Sequence, residues 1–318
     1  MSLDPSSSPS TILDAIRWGT ARLAAQSIES PRLNSEILLG HILGLRRLDL
    51  YLKFDRPLAA AEVEAFSAVI ERRLTGMPVQ YITGTAECFS LTFSVVPAVL
   101  IPRPETEVVV ERAISAIQPL IQEDDLDLFR QGQRRTVLDV GTGSGVIAIC
   151  LARRFPTLTV YASDLSPEAI AVARQNAACH GVADRITFLT GSLFNPLAGL
   201  GLEGALDMIV SNPPYIRHEE LERLPREVRD FEPRLALDGG EDGMAIHRRL
   251  VEGASAYLKP GGLLIMEMGE DQAAALDRVL TGQARLHGVT IHQDYNRRDR
   301  VVVARHVEEK TKRTRRHG

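Results

Sequence analysis

The sequence predicts an α/β protein with a largely parallel sheet and a smaller helical domain in front of it, and three observations support this. After about residue 135, short apolar runs alternate with helical patterns, which is typical of strand–helix–strand units with helices on both faces of a sheet. A glycine-rich stretch, DVGTGSG (139–145), stands where the first of these strands meets its helix. Before residue 76 the apolar residues recur at the spacing that is typical of helices.

Residues 1–84 are predicted to form the small helical domain. The stretch SPRLNSEILLGHILG offers Ser30 as N-cap, Pro31 as the first helical residue and Gly44 as terminator. A unit of this size is marginally stable by itself, so we expect it to pack against the next domain or a partner. It is also too small for independent catalysis, so we expect it to position a substrate. Two further helices are expected, at about 11–26 and 61–75.

Residues 85–104 are predicted to form a β-hairpin that links the two domains. Pro102 and Pro104 end this region, because proline cannot donate to a strand ladder. Apolar residues alternate strictly along it, as in strands with one buried face: Phe89, Leu91, Phe93 and Val95.

Residues 105–308 are predicted to form the α/β domain, and the basic stretch 309–318 a solvated, disordered tail. The last two strands are joined by a short link, so they should pair antiparallel. Seven strands are expected, at 136–140, 158–163, 186–190, 206–211, 262–268, 288–293 and 300–305. Helices are expected at 145–154, 166–180, 241–257 and 270–281.

The composition is that of an ordinary soluble protein, with 44% hydrophobic and 25% charged residues and a net charge of −4. This balance argues against a broad nucleic-acid surface. No apolar run approaches a membrane span of ~20 residues, and the N-terminus lacks the form of a signal peptide. Cys88, Cys150 and Cys179 lie far apart and match no metal spacing. We therefore expect a cytoplasmic protein with no metal and no membrane partner.

Two features point to a nucleotide-like ligand. Gly141, Gly143 and Gly145 allow a tight turn and a close approach of backbone to ligand. Asp164 ends the next predicted strand, where a carboxylate can accept both hydroxyls of a ribose. Ser166, followed by Pro167, is better placed than Asp164 to cap the next helix.

The ligand could be a nicotinamide dinucleotide or S-adenosylmethionine. The glycine spacing is G-x-G-x-G, whereas dinucleotide enzymes have G-x-G-x-x-G and place a pyrophosphate at the helix N-terminus. S-adenosylmethionine has no phosphate and carries a sulfonium cation, so the carboxylate of Asp139 beside the turn favours it.

The stretch IVSNPPYIR (209–217) suits methyl transfer to a planar nitrogen. Such a nitrogen is a poor nucleophile because its lone pair is delocalised, and the displacement must be in line. The side-chain oxygen of Asn212 and the carbonyl of Pro213 can accept its two N–H bonds and direct the lone pair toward the methyl group. Tyr215 can stack on the planar acceptor, and Pro213 and Pro214 stiffen the backbone.

These motifs resemble those of the release factor glutamine methyltransferases (the PrmC/HemK family), which are class I S-adenosylmethionine-dependent enzymes. The resemblance covers about residues 11–306 and rests on seven stretches: GMPVQYITG (76–84), VLIPRPETE (99–107), DVGTGSG (139–145), SD (163–164), NPPY (212–215), EPRLALDGGEDGM (232–244) and LKPGGLLIMEMGEDQ (258–272).

The resemblance implies a five-helix-type N-terminal domain, a hairpin linker and a seven-stranded Rossmann-like methyltransferase sheet. It implies transfer of a methyl group from S-adenosylmethionine, leaving S-adenosylhomocysteine, to the side-chain amide nitrogen of glutamine in the Gly-Gly-Gln motif of peptide chain release factors. The enzyme would thereby modulate translation termination. We expect it to act as a monomer.

The resemblance also assigns residues by position. It implies that Asn212, Pro213, Pro214 and Tyr215 hold the glutamine amide, and that Arg103 and Glu107 border the substrate pocket. The residues implied for the methyl donor are Asp139, Gly141, Thr142, Gly143, Ser144, Gly145, Asp164, Leu193 and Asn212.

Four positions depart from the family pattern. Ser192 stands where Asp is usual, and Leu193 where several members have Trp, so adenine recognition should be looser or use the backbone. His247 replaces a common Tyr and is expected to be half-buried; Asn296 stands where Gly is frequent. None of them touches the chemistry of Asn212.

Two other functions compete with this interpretation. A nucleic-acid base methyltransferase shares NPPY, but it should carry a basic groove or a target-reading domain, and here the N-terminal region is mixed in charge. A non-catalytic S-adenosylmethionine-binding partner of the translation apparatus would be expected to lose the acceptor site, yet Asn212 and Tyr215 are present.

Overall fold

The structure, a computed structural model, describes residues 9–122 and 134–308. The predicted tail at 309–318 lies outside the described residues. The chain forms two compact units. The first comprises Met1–Thr85 and Leu224–Glu232, and the second comprises Ala86–Arg223 and Pro233–Gly318.

Five helices make up most of the described part of the first unit. They bury one apolar cluster, to which Ile16, Leu39 and Phe66 each contribute a side chain with 3% exposure or less. The helices are α1 (Ile12–Ala25), α2 (Pro31–Leu43), α3 (Arg47–Leu52), α4 (Ala60–Leu74) and α5 (Val79–Thr83). Helices α1, α2 and α4 match the predicted ranges; the short α3 and α5 had no predicted range, although the resemblance implies five helices.

Helix α2 begins at Pro31 and ends before Gly44, as predicted, but Ser30 does not cap it with its side chain. Ser30 lies in the left-handed region at φ 47°, and its hydroxyl makes no capping bond. The side chain of Asn34 reaches back instead, donating to the carbonyls of Glu29 and Ser30 at 3.0 and 3.1 Å.

A buried arginine holds the distant segment Leu224–Glu232 in the first unit. Arg73 is 5% exposed; its Nε donates to Asn34 Oδ1 at 2.8 Å, and its Nη2 donates to Glu227 Oε2 at 2.6 Å. Glu227 lies in a helical turn, Arg226–Arg229. Because a buried guanidinium needs a charged partner, this pair explains why a segment so far along the chain belongs to the first unit.

A β-hairpin opens the second unit, with β1 (Thr85–Cys88) pairing with β2 (Leu91–Ser94). Phe89 and Ser90 form its two-residue turn at φ 50° and 58°, as a type I′ turn requires. The predicted strand alternation through Phe89 is therefore wrong at this position, because Phe89 is a turn residue.

Helix α6 (Pro104–Gln122) follows and was not predicted. Pro104 suggested a break in the chain, whereas it occupies the first turn of a helix, where a missing N–H costs nothing. Glu107 in the same turn accepts a hydrogen bond from the Phe89 amide at 2.8 Å, so α6 fixes the hairpin turn.

The second unit contains the seven-stranded sheet, in the order β5-β4-β3-β6-β7-β9-β8. Strands β3 to β7 are parallel, and β9 pairs antiparallel with both β7 and β8. This confirms the prediction for the last two strands. The strands are β3 (Thr136–Val140), β4 (Thr159–Asp164), β5 (Ile186–Thr190), β6 (Leu206–Ser211), β7 (Leu258–Glu267), β8 (Leu286–Gln293) and β9 (Asp299–His306).

Helices cover both faces of the sheet. Helices α6, α7 (Val146–Arg154) and α8 (Pro167–Cys179) contribute to one apolar cluster, and α9 (Ala245–Tyr257) and α10 (Ala273–Thr281) contribute to the other. Short helical segments of three to six residues occupy the loops: Ala183–Arg185, Asn195–Leu197, His218–Arg223 and Arg234–Ala236. Neighbouring strand residues such as Val137 and Leu138 enter opposite clusters, which is why the strands read as continuous apolar runs.

Asn176 on α8 connects the hairpin to the loop after β3. It is 1% exposed; its Oδ1 accepts from Ser94 N at 2.8 Å, and its Nδ2 donates to the carbonyls of Ser94 and Ser144 at 3.0 and 2.8 Å. One amide therefore satisfies three backbone groups, as buried polar groups require.

We expect Asn176→Ala to lower the free energy of unfolding by on the order of 3 kcal/mol, because it leaves several backbone groups without partners. Urea denaturation of the variant and the wild type measures the difference. Gln175→Ala, on the exposed neighbouring position of the same helix, is the control and should change stability by under about 0.5 kcal/mol. Equal stability of the two variants would contradict this account of Asn176.

Candidate active site

The candidate site is a cavity of about 360 Å³ in the second unit, at the carboxyl ends of four neighbouring strands. Ligands of open α/β sheets bind at this edge, at the point where the strand order reverses, here between β3 and β6. The volume lies in the range of small-molecule sites. Each strand end contributes a segment to the wall: Val140–Ser144 after β3, Ser163–Ser166 after β4, Gly191–Leu193 after β5 and Ser211–Pro214 after β6.

The glycine loop turns sharply from β3 into α7. Gly141, Gly143 and Gly145 have φ values of 73°, 55° and 88°, in the left-handed region that favours glycine. A Cβ atom on Gly145 would lie 2.9 Å from Ile149 Cδ1, whereas one on Gly143 would meet no described atom within 4 Å. Gly145 thus allows close helix packing, and Gly143 leaves the loop backbone open at the cavity wall.

Asp139 lies beneath this loop and holds it. Its side chain is fully buried, and its Oδ2 accepts from Thr142 Oγ1 at 2.7 Å and from Ala148 N at 3.1 Å. Its Oδ1 is buried without a hydrogen-bond partner among the described residues. Burial raises the pKa of Asp139 to about 7. Asp139 is not among the residues that line the cavity, so the contact that the structure shows is with the loop itself.

Asp164 lines the cavity from the end of β4. Its oxygens accept from Gly143 N and Ser166 N, each at 2.9 Å, and burial raises its pKa. Each carboxylate oxygen can accept a second bond, so the group retains capacity for ligand hydroxyls. Ser166 caps α8 through Ala169 N at 3.1 Å and Pro167 takes the first helical position, as predicted.

The segment after β5 brings Leu193 and Ser192 to the wall. Leu193 adopts φ 50°, an uncommon value for a non-glycine residue. Ser192 Oγ accepts from Arg249 Nη2 at 3.2 Å, and Arg249 also lines the cavity. The residues predicted to lie near adenine therefore line the cavity. Leu193 offers an apolar side chain and Ser192 a hydroxyl, where other family members have Trp and Asp.

The stretch after β6 brings Asn212, Pro213 and Pro214 to the cavity wall. These residues lie next to the glycine loop, because β6 pairs with β3. Tyr215 is not among the lining residues; its hydroxyl donates to Glu267 Oε1 at 3.3 Å. Burial raises the pKa of the Tyr215 hydroxyl, so it stays protonated. The stretch is held through this hydroxyl, and the stacking role of Tyr215 stays a prediction.

Two sequence motifs that had no assigned role clamp the backbone at Tyr215. Gln272 Nε2 donates to the Tyr215 carbonyl at 2.9 Å and to the Gly243 carbonyl at 3.2 Å. A Cβ on Gly239 would lie 2.8 Å from Tyr215 Cα, so this position needs glycine. Next to it, Ile216 N donates to the Leu237 carbonyl at 3.0 Å. The motifs at 232–244 and 258–272 therefore fix where the acceptor stretch lies.

The side-chain amide of Asn212 is part of a chain of hydrogen bonds that ends at a buried carboxylate. Asn212 Nδ2 donates to Thr106 Oγ1 at 3.1 Å, and Thr106 Oγ1 donates to Glu267 Oε2 at 3.0 Å. Glu267 is fully buried, and burial raises its pKa to about 7. Sequence reasoning missed Thr106 and Glu267, although both lie inside motifs that carry the resemblance.

The structure does not bring Arg103 or Glu107 to the cavity wall. The lining residues from their motif include Pro102 and Thr106 instead. The carboxylate of Glu107 accepts from the hairpin amide of Phe89, as described above.

His247 differs from expectation, because it is fully buried rather than half-buried. Its Nε2 lies 2.8 Å from the Glu267 carbonyl, and since a carbonyl can only accept, Nε2 carries the proton. Burial lowers the pKa of His247, which keeps the ring neutral. Asn296, the fourth departure, lies in the turn between β8 and β9, where its backbone N–H donates to Asp294 Oδ1 at 2.8 Å.

Within 9–122 and 134–308, no three His, Cys, Asp or Glu side chains converge as metal ligands. The helices in these ranges include none with the length and apolar character to span a bilayer.

The second unit has the seven-stranded fold of the class I methyltransferases. A solved structure with a similar fold is that of the hMettl16 catalytic domain in complex with the MAT2A 3′UTR hairpin 6. The TM-score is 0.53 at 15% identity, and the match covers 80% of this chain and 86% of that one. The likeness concerns the fold.

Sequence comparison gives the family. Residues 14–84 match the model of the PrmC N-terminal domain, and residues 125–227 match the methyltransferase small domain. The release factor glutamine methyltransferase of Moorella thermoacetica is 43% identical, covering 94% of this chain and all of its own. That of Geobacter sulfurreducens is also 43% identical, over 93% of this chain and 96% of its own. The chain belongs to the release factor glutamine methyltransferase family.

Membership of this family implies S-adenosylmethionine as methyl donor, and the cavity residues fit that molecule. Asp139 fits indirectly, because it holds the glycine loop from below through Thr142 and Ala148 and does not itself line the cavity. Asp164 has free acceptor capacity for hydroxyls, and Gly141 and Gly143 leave the loop side of the cavity open.

We expect Asp164→Ala to weaken S-adenosylmethionine binding by roughly 1.5–3 kcal/mol, because a charge-assisted hydrogen bond to a hydroxyl is lost. Isothermal titration calorimetry measures this directly. Asp164→Asn keeps one oxygen for the loop amides, so its affinity for S-adenosylmethionine should fall less. Asp184→Ala, an exposed carboxylate, is the control. Unchanged affinity in Asp164→Ala would remove this residue from the site.

Proposed function

We propose that this protein transfers a methyl group from S-adenosylmethionine to the side-chain amide nitrogen of the glutamine in the Gly-Gly-Gln motif of peptide chain release factors. The observation that carries the proposal is the 43% identity with release factor glutamine methyltransferases over more than nine-tenths of the chain. The juxtaposition of Asn212 and the glycine loop in one cavity supports it.

The residues after β6 suit a glutamine amide. Bound S-adenosylmethionine supplies an electrophilic methyl group on a sulfonium. The chain contributes acceptors at the end of β6, where the Asn212 oxygen and the Pro213 carbonyl can each take one N–H of the amide. Holding both N–H bonds turns the nitrogen lone pair toward the methyl group and sets the in-line geometry.

The proton of the methylated nitrogen need not be removed before transfer. An amide nitrogen that has gained a methyl group is far more acidic than the starting amide, so its proton leaves afterwards. The site therefore needs acceptors of fixed orientation more than it needs a strong base. This agrees with a cavity whose acceptor side is lined by Asn212, Pro213 and Pro214 rather than by an ionised base.

A nucleic-acid base amino-methyltransferase is not favoured. The neighbour solved with an RNA hairpin shares the fold at 15% identity, whereas the relatives at 43% identity over more than nine-tenths of the chain are named for release factors.

We further propose that the helical unit, up to about residue 84, recognises the release factor, and that the enzyme acts as a cytoplasmic monomer without a metal. The helical unit matches a family-specific domain model and lies outside the unit with the cavity. Cytoplasmic action follows from the proposed substrate, since release factors act on translating ribosomes.

The direct test incubates the protein with radiolabelled S-adenosylmethionine and a folded release factor, then maps the label by peptide mass spectrometry. We expect the label on the Gly-Gly-Gln glutamine, and none on a control factor in which this glutamine is alanine. A short Gly-Gly-Gln peptide should be a much poorer substrate, because remote contacts supply positioning. Label on nucleic acid alone would overturn the substrate, and equal use of peptide and protein would overturn the role of the helical unit.

We expect Asn212→Ala to slow methyl transfer by on the order of 100-fold or more with little loss of S-adenosylmethionine affinity, since one preorganised acceptor is removed and Asp164 is untouched. Single-turnover rates at saturating S-adenosylmethionine measure the effect. Tyr215→Phe should be milder than Tyr215→Ala, because the ring is kept. A thermal melt must show each variant folded. Near-normal transfer by Asn212→Ala would overturn the proposed mechanism.

A further inference from the structure

The side-chain amide of Asn212 can work as a methyl-transfer acceptor only if its oxygen, and not its nitrogen, is presented to the substrate. A free asparagine amide can turn over and offer either end. Something in the protein must therefore choose between the two orientations, and the buried contacts of Asn212 include a candidate.

The hydrogen-bond chain behind Asn212 has one polarity. An ionised Glu267 carboxylate can only accept, so the single hydroxyl proton of Thr106, 3.0 Å away, points at Glu267 Oε2. Thr106 Oγ1 then has only lone pairs left for Asn212, 3.1 Å away. The Asn212 atom at that distance must be a donor, which is Nδ2, whatever orientation is assigned to the amide.

We propose that Thr106 and Glu267 are positioning residues that lock the Asn212 amide with its nitrogen turned inward and its oxygen free for the substrate. The inference rests on the proposed function and adds two residues to it. Glu267 also accepts from the Tyr215 hydroxyl at 3.3 Å, so one buried carboxylate holds both ends of the acceptor stretch.

The surroundings of Glu267 keep its charge available at mildly alkaline pH. The positive charge of Arg300, on β9, opposes the effect of burial, whereas the charge of Glu105 adds to it. The pKa of about 7 makes the ionised form the main one at pH 8, and assays are best made there.

The first test compares Thr106→Val with Thr106→Ser at pH 8. Valine keeps the shape but removes the acceptor of Asn212 Nδ2, so kcat should fall 10- to 100-fold while the Kd for S-adenosylmethionine stays within about twofold. Serine keeps the hydroxyl and should restore most of kcat. Thr281→Val is the matched control, since that hydroxyl bonds within its own helix, to the Asp277 carbonyl, and its kcat should be unchanged.

Several results would overturn the proposal. One is a normal kcat in a folded Thr106→Val enzyme. Another is an equal loss in Thr106→Ser, because packing and not the hydroxyl would then matter. A third is a loss of S-adenosylmethionine affinity as large as the loss of kcat, because Thr106, which lines the cavity, would then act on the cofactor and not through Asn212.

The second test replaces the buried carboxylate by Glu267→Gln, which can donate as well as accept and so permits both polarities. We expect kcat to fall at least fivefold. The folded state should not be less stable at pH 8, because a fully buried charge is removed. Asp207→Asn is the matched control: Asp207 is also buried in the same sheet but pairs with Arg135 and Lys259, so this change should cost stability and leave kcat unchanged. The reverse pattern in Glu267→Gln, stability lost and kcat kept, would overturn the proposal.

The last measurement needs no substrate, so it separates this proposal from the proposed function. In protein labelled with ¹⁵N-asparagine, the Asn212 amide signals are identified by their loss in Asn212→Ala. One of its two protons should exchange slowly in the wild type and in Thr106→Ser, and quickly in Thr106→Val. If both protons exchange equally fast in the wild type, the lock does not exist, even if the protein methylates release factors. If the lock is seen but no glutamine is methylated, only the proposed function fails.

Discussion

The arrangement of the site depends on one buried carboxylate, Glu267, at the carboxyl end of β7. Removing a carboxylate from water is costly unless its oxygens are satisfied. Its partners come from two separate parts of the chain, Thr106 on α6 and Tyr215 after β6. The requirement to satisfy Glu267 therefore draws these segments together at the edge of the sheet where the cavity lies, and Asn212 follows because Thr106 is its partner.

The glycine loop is held by a separate set of contacts. Asp139 bonds it from below, Asp164 accepts from Gly143 at its side, and Asn176 accepts from the hairpin while donating to Ser144. None of these bonds involves Glu267 or Thr106. Pairing of β3 with β6 is what keeps the loop and the acceptor stretch in a constant relation. This separation is the reason why we expect changes at the acceptor end to slow methyl transfer with little loss of cofactor affinity.

Much of the fold could be predicted from local patterns. Strands β5 and β6 lie at the predicted residues, and Ser166 caps its helix as expected, because apolar runs and caps are encoded within a few neighbouring residues. Features that depend on distant partners could not be found this way. Thr106 and Glu267 are 161 positions apart, and the attachment of Leu224–Glu232 to the first unit depends on Arg73. Helix α6 was missed because a proline suits both a break and a first helical turn.

The site residues divide in the same way. The glycines of the loop and the aspartate at the end of β4 can be recognised from the sequence. Backbone geometry requires the glycines, and the aspartate stands at the end of a predicted strand. A residue that acts by orienting another side chain has no such signal in its neighbouring sequence. Thr106 looks like an ordinary helical threonine in the sequence, because its two partners lie far along the chain. The direction of a hydrogen-bond chain is set by the group with the fewest ways to bond. Here that group is the ionised carboxylate of Glu267, which can accept but not donate. The polarity of Asn212, and with it the nitrogen chemistry that we propose, is therefore decided at Glu267, a residue that does not line the cavity.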